Sequence, residues 1–351
     1  MIRLLRLLLL PITAIYSLVV YLRNRFYDWG VLKSAEGELP TIVIGNLALG
    51  GTGKTPMTEY ILRILNPETK IALLSRGYGR KTRGFLMAGP ASSAEEIGDE
   101  PKQILSKFPQ IPLAVCENRI EGIHQIADRI PDIQLVVLDD AFQHRPLKPN
   151  YSILLTAYTD PYWNDIMLPT GNLRDNVAEI SRADLIVVTK CPPDLSAEEQ
   201  KEIISTIYPS KKQKVFFSTI AYGDPVWISG PKVEMDKNLN VIGMCAIANP
   251  TLFQKHLSTN FILKSFKTFR DHHIFSHNEL SAVFNESGKF GNEYLPVLMT
   301  EKDAMKVSIP DLDTKIPLYY VPIEMKILGQ KEEFDYLISE TGRKLANESG
   351  E

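Results

Sequence analysis

The stretch Asn46–Thr55, NLALGGTGKT, sets glycines, a lysine and a threonine in an order that could hold phosphate. Gly50, Gly51 and Gly53 let successive backbone N–H groups turn toward an anion, and a helix starting behind them adds the positive end of its dipole. In such a loop Ala48, Leu49, Gly50, Gly51, Thr52, Gly53, Lys54 and Thr55 wrap the phosphates of a nucleotide. Lys54 reaches the β- and γ-phosphates, and the Thr55 hydroxyl faces Mg²⁺. Ala48 stands where GxxxxGK[ST] has its first glycine, a replacement that works if φ there is negative. The metal also needs carboxylates at a second strand end. Gln134–Asp140, QLVVLDD, is an apolar run closing on two acids, so Asp139 and Asp140 are the expected ligands beside Thr55. Adjacent carboxylates repel each other unless a cation lies between them.

These groups need elements to position them. Pro40–Gly45, PTIVIG, is a short β-branched run ahead of the loop, and MTEYILRIL after Pro56 is amphipathic, giving strand, glycine loop and helix. Further strands are expected at Lys70–Ser75, Pro112–Val115, Leu135–Leu138, Ser152–Thr156, Leu185–Thr189 and Val215–Ser218, with a helix at Arg119–Arg129 among the segments between them. This alternation predicts an α/β, P-loop NTPase-type parallel sheet domain whose chemistry collects at the carboxyl ends of the strands. Polar clusters fall at such ends. Ser75–Arg80, SRGYGR, suits an anionic ligand. Gly98–Pro101, GDEP, puts two acids at a helix start, where Asp99 is either a chemical group or a helix cap. After about Ser218 a turn-rich link leads to strands near Val241–Cys245, Phe261–Phe269, Pro296–Met299 and Leu318–Val321. Helices near Pro250–His256, Asn278–Glu286 and Glu332–Ala346 complete a smaller C-terminal α/β domain. The expected division is 1–25, 26–220 and 221–351, with the site in the cleft between the last two.

Residues 1–25 are of another kind. Leu7–Leu22 is an uncharged apolar run, with Arg3 and Arg6 before it and Arg23 and Arg25 after it. As a helix it is about 24 Å long, shorter than the ~30 Å hydrocarbon layer, and Pro11 would bend or restart it. No small-residue cleavage site follows it, which argues against a secretory leader. An N-terminal membrane-associated helix lying in an anionic interface, a spanning helix and a buried core helix are the readings open to it.

The remaining composition is that of an ordinary globular enzyme. Lys and Arg number 39 against 42 Asp and Glu, a net charge of −3 that gives no basic field for nucleic acid. Cys116, Cys191 and Cys245 form no metal or disulfide pattern. No feature implies an obligate protein partner. Thr189-Lys190, with Asp194 further on, has the residue types of a guanine-reading TKxD motif but not its spacing. A membrane-tethered P-loop switch or assembly ATPase is therefore the competing functional class.

Taken in order, VIGNLALGGTGKTP, LLSRGYGR, GDEP, VVLDDAFQHR, LPTGNLRD, AIANP, the Phe269–His273 cluster and MTEKDAMK resemble the tetraacyldisaccharide 4′-kinase family, the lipid A kinases of Gram-negative bacteria. The resemblance spans nearly the whole chain. It implies transfer of the ATP γ-phosphate to the 4′-hydroxyl of a tetraacylated glucosamine disaccharide 1-phosphate. It also implies work at the cytoplasmic face of the inner membrane, peripheral or monotopic, on a lipid-linked disaccharide. It makes Lys54, Asp99 and His272 the catalytic residues, with His273 as the neighbouring alternative to His272. Arg76, Arg119, Arg174 and Asp175 are the residues expected near the acceptor, Asp175 standing where the family often has glutamate.

Overall fold

The computed structural model describes residues 6–271, 273–288, 294–307 and 315–348. Arg3 and His272 lie outside the described residues. Two sheets organise them. The first has nine strands, in order β14-β8-β7-β6-β1-β5-β2-β4-β3. These are β1 Thr41–Asn46, β2 Ile71–Ser75, β3 Leu86–Met87, β4 Leu113–Val115, β5 Leu135–Asp139, β6 Tyr151–Ala157, β7 Leu185–Thr189, β8 Lys214–Tyr222 and β14 Ile323–Ile327. The seven from β8 to β4 run parallel, and only the edge strands β14 and β3 are antiparallel to their neighbours. The strands are buried on both faces. Along β1, Ile42 and Ile44 enter one apolar cluster and Val43 the other, as a two-residue period requires.

The second sheet has five strands, β9 Val226–Ser229, β10 Asn240–Cys245, β11 Ile262–Thr268, β12 Val297–Thr300 and β13 Leu318–Val321, ordered β11-β10-β12-β13-β9. Its strands match the runs expected from sequence, apart from β9. After β13 the chain crosses back, β14 pairs with β8, and the C-terminal helix Lys331–Glu348 packs Phe334 and Ile338 into the core of the nine-stranded sheet. The segment 323–348 thus completes the first sheet rather than the second.

The N-terminal helix, α1 Leu10–Asp28, takes Pro11 in its first turn, where a missing N–H costs nothing, so the proline starts the helix instead of bending it. Its burial is inverted for a helix on a globular protein. Thr13 and Asn24 face inward, while Ile15, Leu18 and Val19 are 65%, 56% and 59% exposed. The inward side is fastened by polar contacts: Thr13 Oγ1 to Thr170 Oγ1 at 2.6 Å, Tyr16 Oη donating to the Arg174 carbonyl at 3.1 Å, and Asn24 Nδ2 donating to Asp175 at 2.7 Å. This excludes the buried core helix. No helix among the described residues is long and apolar enough to cross a membrane.

Candidate active site

β1 ends in the middle of the nine-stranded sheet, between β5 and β6, and its carboxyl end opens on the glycine loop. Gly45 permits this join: a Cβ there would lie 2.5 Å from Phe142 Cβ on the turn after β5. The loop turns through positive φ at Gly50 and Gly53 and feeds α2 Lys54–Leu65, whose first amides have no side-chain cap and remain available to a ligand. Ala48 keeps φ out of the left-handed region, which explains how it replaces the motif's first glycine. Thr189, at the end of β7, braces the loop by donating its hydroxyl to the Thr52 carbonyl at 2.7 Å.

Beside the loop lies a set of interlocked charges. Lys54 Nζ is 3.3 Å from Asn46 Oδ1 and 3.8 Å from Asp140 Oδ1. Arg174 grips Asp140 with two N–H groups, at 2.9 and 3.2 Å, and Asn46 Oδ1 with a contact of 2.6 Å. Burial opposes ionisation of Asp140, but Lys54, Arg174 and Arg119 together pull its carboxyl down to about 2. Asp139, the neighbouring residue, behaves oppositely. It is fully buried, accepts from the Thr58 hydroxyl at 3.2 Å, and is pushed up by burial and by the carboxylates of Glu100 and Asp140. The two acids that look alike in sequence therefore differ in electrostatic state, Asp140 balanced by cations and Asp139 short of them.

The opposite wall is shared by a helix of the nine-stranded sheet's side and the segment that follows β12 of the five-stranded sheet. α3 Asp99–Lys107 begins after Gly98, the helix cap, so Asp99 is the first helical residue and its carboxylate accepts from the adjacent Glu100 amide at 3.0 Å. From the short helix Glu301–Ala304, which follows β12, Lys302 Nζ reaches Glu100 at 3.1 Å, Asp99 at 3.8 Å and Asp271 at 3.8 Å. Lys306 Nζ lies 3.7 Å from Asp99 and 3.0 Å from Asp303. Burial disfavours the Lys302 ammonium, but Glu100, Asp99 and Asp271 more than compensate and hold it charged. Next to these, Gln103 and Lys107 bind Glu59 of α2 and Glu301 together, a second polar seam between the sheets.

A cavity of about 440 Å³ runs between the two walls. Ala48 to Pro56, Glu100, Asp140, Arg174 and Lys302 line its polar part. Lys54 and Thr55 are thus in the cleft, whereas Asp99 is buried and reached by Lys302 but does not itself line the cavity. Several sequence-predicted residues are occupied elsewhere. Arg119 is buried and donates to the carbonyls of Cys116, Glu117 and Asp140, bracing strand ends instead of facing the cavity. Asp175 is buried against Asn24 and anchors α1. Arg76 is exposed and outside the cleft lining. His273 stacks on Phe269 and holds the Glu279 carboxylate at 2.9 Å, away from the cleft. Sequence reasoning missed Glu100, Lys302 and Lys306; the GDEP and MTEKDAMK strings carried them without showing that they meet.

The profile of the tetraacyldisaccharide-1-P 4′-kinase family matches residues 5–342. The tetraacyldisaccharide 4′-kinase of Flavobacterium johnsoniae is 40% identical over 340 residues, covering 95% of this chain and 96% of that one. The enzyme of the same name from Bacteroides thetaiotaomicron is 40% identical over 345 residues, covering 93% and 90%. Among solved structures, LpxK from Aquifex aeolicus, crystallised in complex with ATP, superposes with a TM-score of 0.73 at 27% identity, over 96% of this chain and 99% of that one. With its glycine loop, its paired acids and its second sheet closing the cleft, the chain belongs to the tetraacyldisaccharide-1-P 4′-kinase family.

Proposed function

We propose that the chain transfers the γ-phosphate of ATP to the 4′-hydroxyl of a tetraacylated disaccharide 1-phosphate, on the cytoplasmic face of a Gram-negative inner membrane. The observation that carries this reading is one cleft in which Lys54, Thr55, Asp140 and Glu100 from the side of the nine-stranded sheet meet Lys302 from the side of the five-stranded sheet. Lys54 and the loop amides hold the phosphates, and Arg174 keeps Asp140 beside them. The residues fit a divalent cation: the Thr55 hydroxyl and the Asp140 carboxylate line the phosphate end of the cleft, with the adjacent Asp139 buried beside them, and these three would hold Mg²⁺. That ion, when bound, neutralises charge on the phosphates. Asp99 takes the proton of the acceptor hydroxyl, with His272 as its partner on the strength of the family resemblance. Lys302 and Lys306 keep the Asp99 carboxylate placed. The two units of this reading are the nine-stranded sheet with 323–348 and the five-stranded sheet between.

The acceptor stays in the bilayer, because drawing acyl chains into water costs about 0.8 kcal/mol per CH₂. α1, with Ile15, Leu18 and Val19 outward and arginines at its ends, suits a helix lying in the interface. The test is to incubate the protein with ATP, Mg²⁺ and the disaccharide lipid and to locate the new phosphate. ATP turnover indifferent to the acceptor would favour the tethered switch instead.

A further inference from the structure

Lys190 follows β7 directly, in the left-handed region at φ 58°. Its backbone is thereby turned out of the strand, and its side chain lines the same cleft as the glycine loop. A Cβ built on Gly51 would lie 3.6 Å from Lys190 Nζ, which sets the ammonium against the loop three residues ahead of Lys54. Among the described residues no carboxylate forms an ion pair with it at salt-bridge distance, unlike Lys54, Lys302 and Lys306, each of which has one. Burial and the nearby Lys54 both act against its charge, and Asp271 alone acts for it. A cation in such surroundings is costly unless an anion arrives. The cavity around it is of two kinds. The loop and its lysines form a polar end, while Ile220, Tyr222, Ile247, Leu252 and Phe253 form an apolar wall. A nucleoside polyphosphate, an anion joined to a flat weakly polar base, fits both better than inorganic phosphate does.

We propose that Lys190 is a second nucleotide-binding cation, contacting ATP from the Gly51 side of the loop while Lys54 holds the β- and γ-phosphates. The proposal rests on the nucleotide reading of the loop and adds a residue to it. It also accounts for Thr189: the hydroxyl that pins the Thr52 carbonyl fixes the spacing between Lys190 and the loop. The positive φ aims the side chain into the cleft at a point where a regular strand residue would point into one face of the sheet.

The experiment is nucleotide binding by calorimetry on the full chain, with ATP and with ADP, in Mg²⁺ and without lipid acceptor. Lys190→Met keeps the aliphatic stem and removes the charge. Its Kd for both nucleotides should rise about tenfold or more, the loss expected for one charge-assisted contact. Lys190→Arg, which keeps the charge, should stay within about threefold of wild type. Melting temperatures of both variants should match wild type. Unchanged affinity in Lys190→Met, beside a clear loss in Lys54→Ala, overturns the proposal alone. Equal losses in the Met and Arg variants with a lowered melting temperature also overturn it, since they mark a packing role. Unchanged affinity in both Lys190→Met and Lys54→Ala places the nucleotide elsewhere and overturns the loop reading with it.

Discussion

The cleft floor and the N-terminal helix solve opposite problems. Around the glycine loop, charge is buried: Asp139 is sealed, Asp140 is clamped by Lys54 and Arg174, and Arg119 is spent on backbone carbonyls. Along α1, polar groups are also buried, Thr13 at 7% and Asn24 at 3% exposure, but apart from Val20 most of the apolar side chains are left outside. Inward polarity in the cleft prepares a place for phosphate charge. On α1 it frees the apolar face for something other than water, at the cost of exposing Ile12, Ile15, Leu18 and Val19. If one region handles phosphate and the other handles lipid, mutations should separate the two.

The largest separation is expected at Asp99. Asp99→Asn keeps the shape and the contact with the Glu100 amide but cannot accept the proton, so kcat should fall about 10³-fold, with ATP affinity and vesicle binding unchanged. His272→Ala should not add to that loss in the double variant, because groups acting as a unit lose most with the first deletion. A stable Asp99→Asn protein with near-normal kcat would remove Asp99 from the chemistry. Lys54→Ala comes next: turnover down about 10²-fold, vesicle binding intact and melting temperature close to wild type. Turnover within a few-fold of wild type would refute the phosphate-binding loop.

The converse variants belong to α1. Ile15→Asp and Leu18→Asp put a charge on the exposed apolar face and should weaken binding to anionic vesicles about tenfold while leaving ATP affinity untouched. A co-sedimentation assay that shows no change would move the membrane contact to another surface. Smallest of all is Asn24→Ala, which removes one of the two donors to Asp175 Oδ1, the Asn176 amide being the other. It should lower stability by about 1–3 kcal/mol in denaturant titration, with kcat preserved when the protein is folded. A loss of kcat without a loss of stability would return Asp175 to the acceptor site.

What was legible in the sequence was local. Strand runs, the glycine loop and Pro11 act within a few residues, and the structure shows each where its pattern implied. The family strings supplied the rest of the outline. Three things were hidden because they depend on distant partners. β14 is five residues long and gains its place by pairing with β8, about a hundred residues earlier in the chain, and by burying Met325 and Ile327 in the core of that sheet. Arg119 and Asp175 have the residue types of a substrate site, yet Cys116 and Asn24 claim them. The direction of α1 could not be read from Leu7–Leu22, because a run apolar on nearly every side has no sequence face; Thr13 and Asn24 set it by finding Thr170 and Asp175.

The most direct test is acceptor-dependent phosphorylation. Wild-type protein, ATP and Mg²⁺ are mixed with vesicles that contain or lack the tetraacylated disaccharide 1-phosphate, and both new phosphomonoester and released inorganic phosphate are followed. The expected result is ATP consumption only with the acceptor, one new phosphate at the 4′-position for each ATP used, and loss of both in Lys54→Ala. Steady release of inorganic phosphate at the same rate with and without the lipid, and no phosphate on the sugar, would contradict it.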